Sequence, residues 1–162
     1  MKFNLERKVW WGYISEDLQE LLFESELLIK KANGWKEKFD DYSFVVFPAS
    51  KAYEGFLKTL FLDMKLISEE EFYGKRFRIG RVLNPALESR YRKEISVYDR
   101  LIRQCGGKDL ANILWDTWKT CRNVLFHWFP NEKNAIDFDE AVRRVEKVIS
   151  AFDLAFRECK IE

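Results

Sequence analysis

The chain has 162 residues, 47% hydrophobic and 16% aromatic, with 28 Lys plus Arg set against 27 Asp plus Glu. That length suits one domain, taken as residues 1–162, and six tryptophans with fourteen phenylalanines exclude a disordered chain. A net charge of +1 points to no polyanionic partner by its sum, so a nucleic-acid surface has to be sought in a local patch.

Cys105, Cys121 and Cys159 show neither CxxC nor Cys/His ligand spacing. Their odd number, behind a charged start (Met1–Lys8) without a leader's apolar run, fits a reducing cytoplasm better than a disulfide scaffold. No stretch of about 18 apolar residues is present, so no membrane partner is expected.

In chain order, Ser15 before Glu16 and Asp17 predicts the cap of a first helix. Leu18, Leu21, Leu22, Ser25, Leu28 and Ile29 follow at helical spacing, and Asn33–Gly34 ends it. Tyr42–Phe47 is locally strand-like but has no partner strand, and reads as a buried connection or the lead-in to the next helix. A second helix is expected with Pro48 in its first turn. Its apolar stripe is Ala49, Ala52, Tyr53, Phe56, Leu57, Leu60, Phe61 and Met64. A short helix is placed at Glu69–Tyr73.

From Gly74 to Glu94 the periodicity fails, and Gly74, Gly80 and Asn84–Pro85 punctuate a long basic connection. It is the strongest charge asymmetry in the chain, with Lys75, Arg76, Arg78, Arg81, Arg90, Arg92 and Lys93 against Glu88 and Glu94. A third helix covers Ser96–Gln104 and stops at Gly106–Gly107. A fourth runs from Lys108 to Phe126, and Trp128–Glu132 is read as a turn. Asp137, with Glu140 three residues on, predicts a capping box for a fifth helix. Its stripe is Phe138, Ala141, Val142, Val145, Val148, Ile149, Phe152, Ala155 and Phe156. The expected fold is all-α, an antiparallel bundle of four to five helices.

No HExxH or DxD spacing, phosphate-binding glycine loop or serine–histidine–aspartate set stands out, so no metal and no cofactor is expected. The chemistry left is Arg122 and the single histidine, His127. Arginine offers a permanent cation with a forked donor set that suits phosphate, and histidine moves protons near neutral pH. Together they suit metal-free RNA cleavage, in which the RNA's own 2′-hydroxyl is the nucleophile. The plainer alternative is that His127 caps the C-terminus of the fourth helix. Five positions correspond to about 140° of rotation on a regular helix. A shared site then needs either a frayed helix end or a second chain.

Arg122-Asn123-Val124-Leu125-Phe126-His127 resembles the R-x4-6-H signature of the HEPN superfamily, including the polar residue after the arginine. Phe47–Lys58 resembles the helix that carries a catalytic glutamate in the HEPN domain of RNase LS-type toxins, which makes Glu54 the matching acid. The resemblance implies a HEPN-like bundle, a two-fold homodimer with composite clefts, and a metal-independent endoribonuclease. It leaves 2′,3′-cyclic phosphate and 5′-hydroxyl ends and serves as the toxin of a toxin–antitoxin pair or an antiphage system. RNA and a cognate antitoxin are the implied partners. A non-catalytic HEPN-like module binding RNA or protein is the alternative.

In that reading Arg122, His127, Glu54 and Asn123 are catalytic. Asn123 orients His127 or a phosphate, or else is an exposed helical asparagine. Glu54 holds Arg122 or His127 in place or shares in proton transfer, or else pairs with Lys58 one turn later. Lys58, Lys75, Arg76, Arg78 and Arg81 would contact RNA, with Phe72, Phe77 and Tyr91 stacking on bases, or else form a solvated loop. Trp128 and Phe129 line a base pocket or dimer seam, or pack inside. Trp10, Trp11 and Tyr13 pack on the fold or mark a partner surface.

Overall fold

The computed structural model describes residues 3–130 and 134–159. These residues are all-helical, without a β-strand. Among them no helix is long and apolar enough to cross a membrane. The main helices are α1 (Glu16–Ala32), α2 (Ser43–Asp63), α6 (Val97–Gln104), α7 (Gly107–Trp118) and α8 (Phe138–Glu158). Between α2 and α6 lie three short ones: α3 (Glu69–Tyr73), α4 (Ile79–Val82) and α5 (Ser89–Ile95). α2 packs against both α1 and α8, and α7 against both α6 and α8. The buried side chains form one cluster, with Tyr53, Phe56, Phe61 and Phe152 fully enclosed at its centre. Phe56 and Phe152 stack with ring centroids 4.1 Å apart.

α2 departs from the sequence expectation at its start. Tyr42–Phe47 is neither a strand nor a loop: helix begins at Ser43, and Pro48 is its sixth residue rather than a first-turn residue. An interior proline lacks the N–H that would bond four residues back, and its ring crowds the preceding turn. The opened ladder is repaired from α1. Ser25 Oγ donates to the Val45 carbonyl at 2.9 Å and accepts from the Ala49 N–H at 2.9 Å. Ser25 is fully buried. Thus the residue that lets α2 accommodate Pro48 lies on another helix.

The expected cap is borne out at Asp137, which accepts from the Glu140 N–H, and Ser96, given in the sequence only as a helix start, also caps by accepting from the Asp99 N–H. Glu140 does not complete a capping box, because its carboxylate pairs with Arg143 and Arg144 instead. Ser15 donates its hydroxyl to the Asp17 carboxylate and accepts no backbone N–H from the first turn of α1. The connection over 74–94 is not a structureless loop, since α4 and α5 occupy much of it. Four and seven residues are too few to show a helical period. Asn131 and Glu132 of the expected turn lie outside the described residues.

The N-terminal segment lies against the core. Trp10 is fully buried, tilted on Phe152, and donates from Nε1 to Asp153 at 2.7 Å. Tyr13 packs edge-on to Phe56 and Phe156 and donates to Asp63. Burial, then the Asp63 carboxylate, pushes its phenol well above the ordinary range. The expectation against disulfides is corrected. Cys105, after α6, and Cys159, after α8, are bonded, with Cα atoms 4.7 Å apart. Neighbouring sequence does not reveal this pair, because its halves are 54 residues apart. Cys121 is free and buried, and burial raises its thiol pKa.

Candidate functional site

The expected fourth helix does not run regularly to Phe126. α7 ends at Trp118 and continues as a π-turn over Lys119–Asn123, closed by the Val124 N–H on the Lys119 carbonyl at 2.9 Å. A π-turn takes in one extra residue, so every later side chain is rotated by about 100° from its α-helical phase. The His127 N–H then reaches only three residues back, to Val124, and the helix is finished.

Arg122 lies in the π-turn. Its Nε donates to Glu54 Oε2 at 3.2 Å, joining the end of α7 to the middle of α2. Both side chains are little more than a third exposed. Glu54 therefore pairs with Arg122 and not with Lys58. Arg122 is one of the two partners the resemblance implied for Glu54; no local spacing points to it, because the two residues are 68 positions apart. Lys58 instead lies over the rings of Phe72 and Phe77, 5.4 and 5.9 Å from their centroids.

His127 is exposed, with its Nδ1 against the backbone carbonyl of Asn123. A carbonyl can only accept, so Nδ1 carries the proton in this contact, and a neutral ring then has Nε2 as its basic nitrogen. Asn123 thus orients the imidazole through its main chain and not its side-chain amide. The Asn134 amide donates to the His127 carbonyl at 3.0 Å, and Phe129 lies face-on to the imidazole with centroids 6.1 Å apart. Among the described residues no hydrogen bond joins Arg122 to His127. Trp128 is 83% exposed, so inward packing is excluded for it.

The exposed edge of α2 links these groups. Phe47, Lys51, Glu54 and Lys58 follow at spacings of four, three and four, which keeps them on one face over roughly 16 Å. Phe47 meets Phe126 edge-on at 5.4 Å, and Lys51 lies over Phe47. The stripe thus passes from Phe126, next to His127, by way of Arg122 to Phe77. Lys51 was missed in the sequence as a site residue, although its spacing from Glu54 and Lys58 was there to be read.

Beyond Lys58 the basic segment folds into a pocket of about 500 Å³. Lys75, Arg76, Arg78 and Arg81 all line it. Arg90 and Arg92 do not line it: they pair with Glu88 and, through two bonds, with Asp99. Hydrogen bonding to Arg92 holds the Asp99 carboxyl below its ordinary pKa. Of the stacking candidates, Phe77 forms part of the pocket wall, while Tyr91 lies beneath the guanidinium groups of Arg81 and Arg90. No protein-family model, curated protein or solved structure matches this chain.

Proposed function

We propose that this protein is a metal-independent endoribonuclease of HEPN type, its helices forming an antiparallel bundle that works as a two-fold homodimer. The observation that carries the reading is the pairing of Glu54 with Arg122, a few residues before a histidine whose Nδ1 is held by the Asn123 carbonyl. In this mechanism His127 Nε2 takes the proton of an RNA 2′-hydroxyl, and the freed oxygen attacks the adjacent phosphorus. The P–O5′ bond breaks, leaving a 2′,3′-cyclic phosphate and a 5′-oxygen that is protonated by the second copy's imidazolium or by water. Arg122 neutralises charge on the phosphoryl oxygens, and Glu54 fixes the guanidinium.

A dimer is part of the proposal because, among the described residues of one chain, no hydrogen bond joins Arg122 to His127. The exposed rings of Phe47, Trp128 and Phe129 offer apolar area for a symmetric interface beside His127. Lys58 and the cations of the basic pocket would bind the RNA backbone. The biological role proposed is a cytoplasmic toxin with a cognate antitoxin, or an antiphage effector.

The test is cleavage of single-stranded RNA in EDTA, with end-group analysis. Arg122→Ala and His127→Ala should each lower the rate by at least about 100-fold with the fold retained. Full activity in either variant overturns the proposal. The second reading is a non-catalytic module that binds RNA. It is favoured by the same lack of an Arg122–His127 hydrogen bond, and RNA binding without cleavage, insensitive to His127→Ala, would select it.

A further inference from the structure

We infer that the basic pocket between α3 and α5 is a discrete subsite for one unpaired nucleotide, which takes the phosphate at Lys75 and Arg76 and the base against Phe77, Val82 and Ile95. This rests on the RNA reading above but goes beyond a general basic contact surface. Its volume of about 500 Å³ lies within the range of small-ligand sites and well below that of a groove tracking many residues of polymer. Its wall is chemically divided. One part is cationic, and another is formed by Phe77, Val82 and Ile95. A nucleotide has the same division between phosphate and base face.

Two carboxylates set the limit of the site. Glu70 and Glu71 also line the pocket, and Glu71 is held there by its bond from the Ser68 N–H. Negative charge on that side repels a second phosphate, so the pocket suits one nucleotide and not a continuous polyanion. Nearby, Arg90 and Arg92 outside the pocket already have partners in Glu88 and Asp99.

The site is also held in shape. Arg78 Nη1 donates to the Lys75 and Phe77 carbonyls at 2.7 and 3.0 Å, fixing the turn that carries the cationic wall. Gly80 in α4 meets Trp118 so closely that an added Cβ would fall 2.0 Å from the indole ring. Trp118 lies one turn before Arg122. The pocket is thereby anchored to the segment that carries the proposed chemistry, and Lys58 beside Phe77 continues the α2 stripe towards Glu54.

The experiment is an amide-detected NMR titration of the full chain with each nucleoside 5′-monophosphate, and separately with ribose 5-phosphate and inorganic phosphate. At least one nucleotide should saturate at one per chain, with shifts centred on residues 70–95, and bind at least fivefold tighter than ribose 5-phosphate. Lys75→Gln combined with Arg76→Gln should weaken that binding about tenfold. Both side chains are exposed, so the fold should survive, which the same spectra check. Equal binding of ribose 5-phosphate, failure of every nucleotide to saturate, or unchanged binding by the double variant overturns the subsite. Mononucleotides hold no cleavable internucleotide bond, so the result is independent of ribonuclease activity. Saturable binding by an enzyme that cuts no RNA removes the ribonuclease reading alone. RNA cleavage without nucleotide saturation removes the subsite alone.

Discussion

Glu54 and Arg122, 68 residues apart in the chain, meet at 3.2 Å across the junction of α2 with the π-turn that follows α7. The pair is partly solvated, and ion pairs of that kind contribute only about 0–1 kcal/mol to stability. Its placement matters more than its strength, because it sets the direction of a guanidinium carried five residues before the only histidine. Glu54→Gln should therefore leave the melting temperature almost unchanged while lowering RNA cleavage by roughly tenfold or more. Parallel thermal melts and initial-rate measurements check this. A large loss of stability with unchanged activity would make the pair structural.

Ser25→Ala should be costly for a substitution so small. It removes the acceptor of the Ala49 N–H and the donor to the Val45 carbonyl, both beside Pro48 inside the core. A buried polar group left without a partner costs about 1–3 kcal/mol, so a loss of roughly 3 kcal/mol is expected in urea unfolding. Pairing Ser25→Ala with Pro48→Ala should recover part of it, since without the crowding proline ring the helix can close the Ala49 N–H onto the Val45 carbonyl. Equal losses in the single and double variants would show that Ser25 does not act through the proline.

Reduction should lower stability without changing the helical content. The Cys105–Cys159 bond ties the start of α7 to the end of α8 and closes a loop with a sequence separation of 54. Chain-entropy reasoning puts its contribution at about 4 kcal/mol as an upper figure. Thermal melts with and without dithiothreitol, repeated on Cys159→Ser, should show a drop on the order of 10 °C for the wild type. Reductant should have no further effect on the variant. Cleavage assays run in both conditions show whether the bond matters to activity.

Acid should weaken the protein partly through Asp99. Hydrogen bonding to Arg92 lowers the folded-state pKa of this carboxyl below its unfolded value. The group then contributes stability that is fully present above the unfolded pKa, near 4, and is lost as pH falls through the folded one. Urea unfolding of the wild type and Asp99→Asn should differ at pH 7 and converge as pH falls from about 4 through the lowered folded-state pKa. A difference that persists unchanged at low pH would exclude ionisation of Asp99 as its cause.

Much of the helical content can be read along the chain. The stripes Leu18–Ile29 and Phe138–Phe156 are local periodicities, and Ser96 and Asp137 cap through atoms three residues away. Cap and stripe depend on neighbours in sequence, so they survive without tertiary information. Arg122 and His127 are legible in another way, by residue type and scarcity.

Other features required the third dimension. Val45 and Val46 suit a strand by local preference, yet lie buried in α2 because α1 and the core cover them, while Ser25 repairs the break at Pro48. α4 and α5 are too short to announce a period, and contacts such as Gly80 against Trp118 hold the segment around them in place. Cys105 with Cys159, and Glu54 with Arg122, are meetings between distant positions that no local pattern encodes. The sequence by itself determined the apolar stripes of the long helices and which residue types could carry chemistry. Tertiary structure decided their partners, because side-chain pairing across helices depends on how the faces dock and not on spacing within either one.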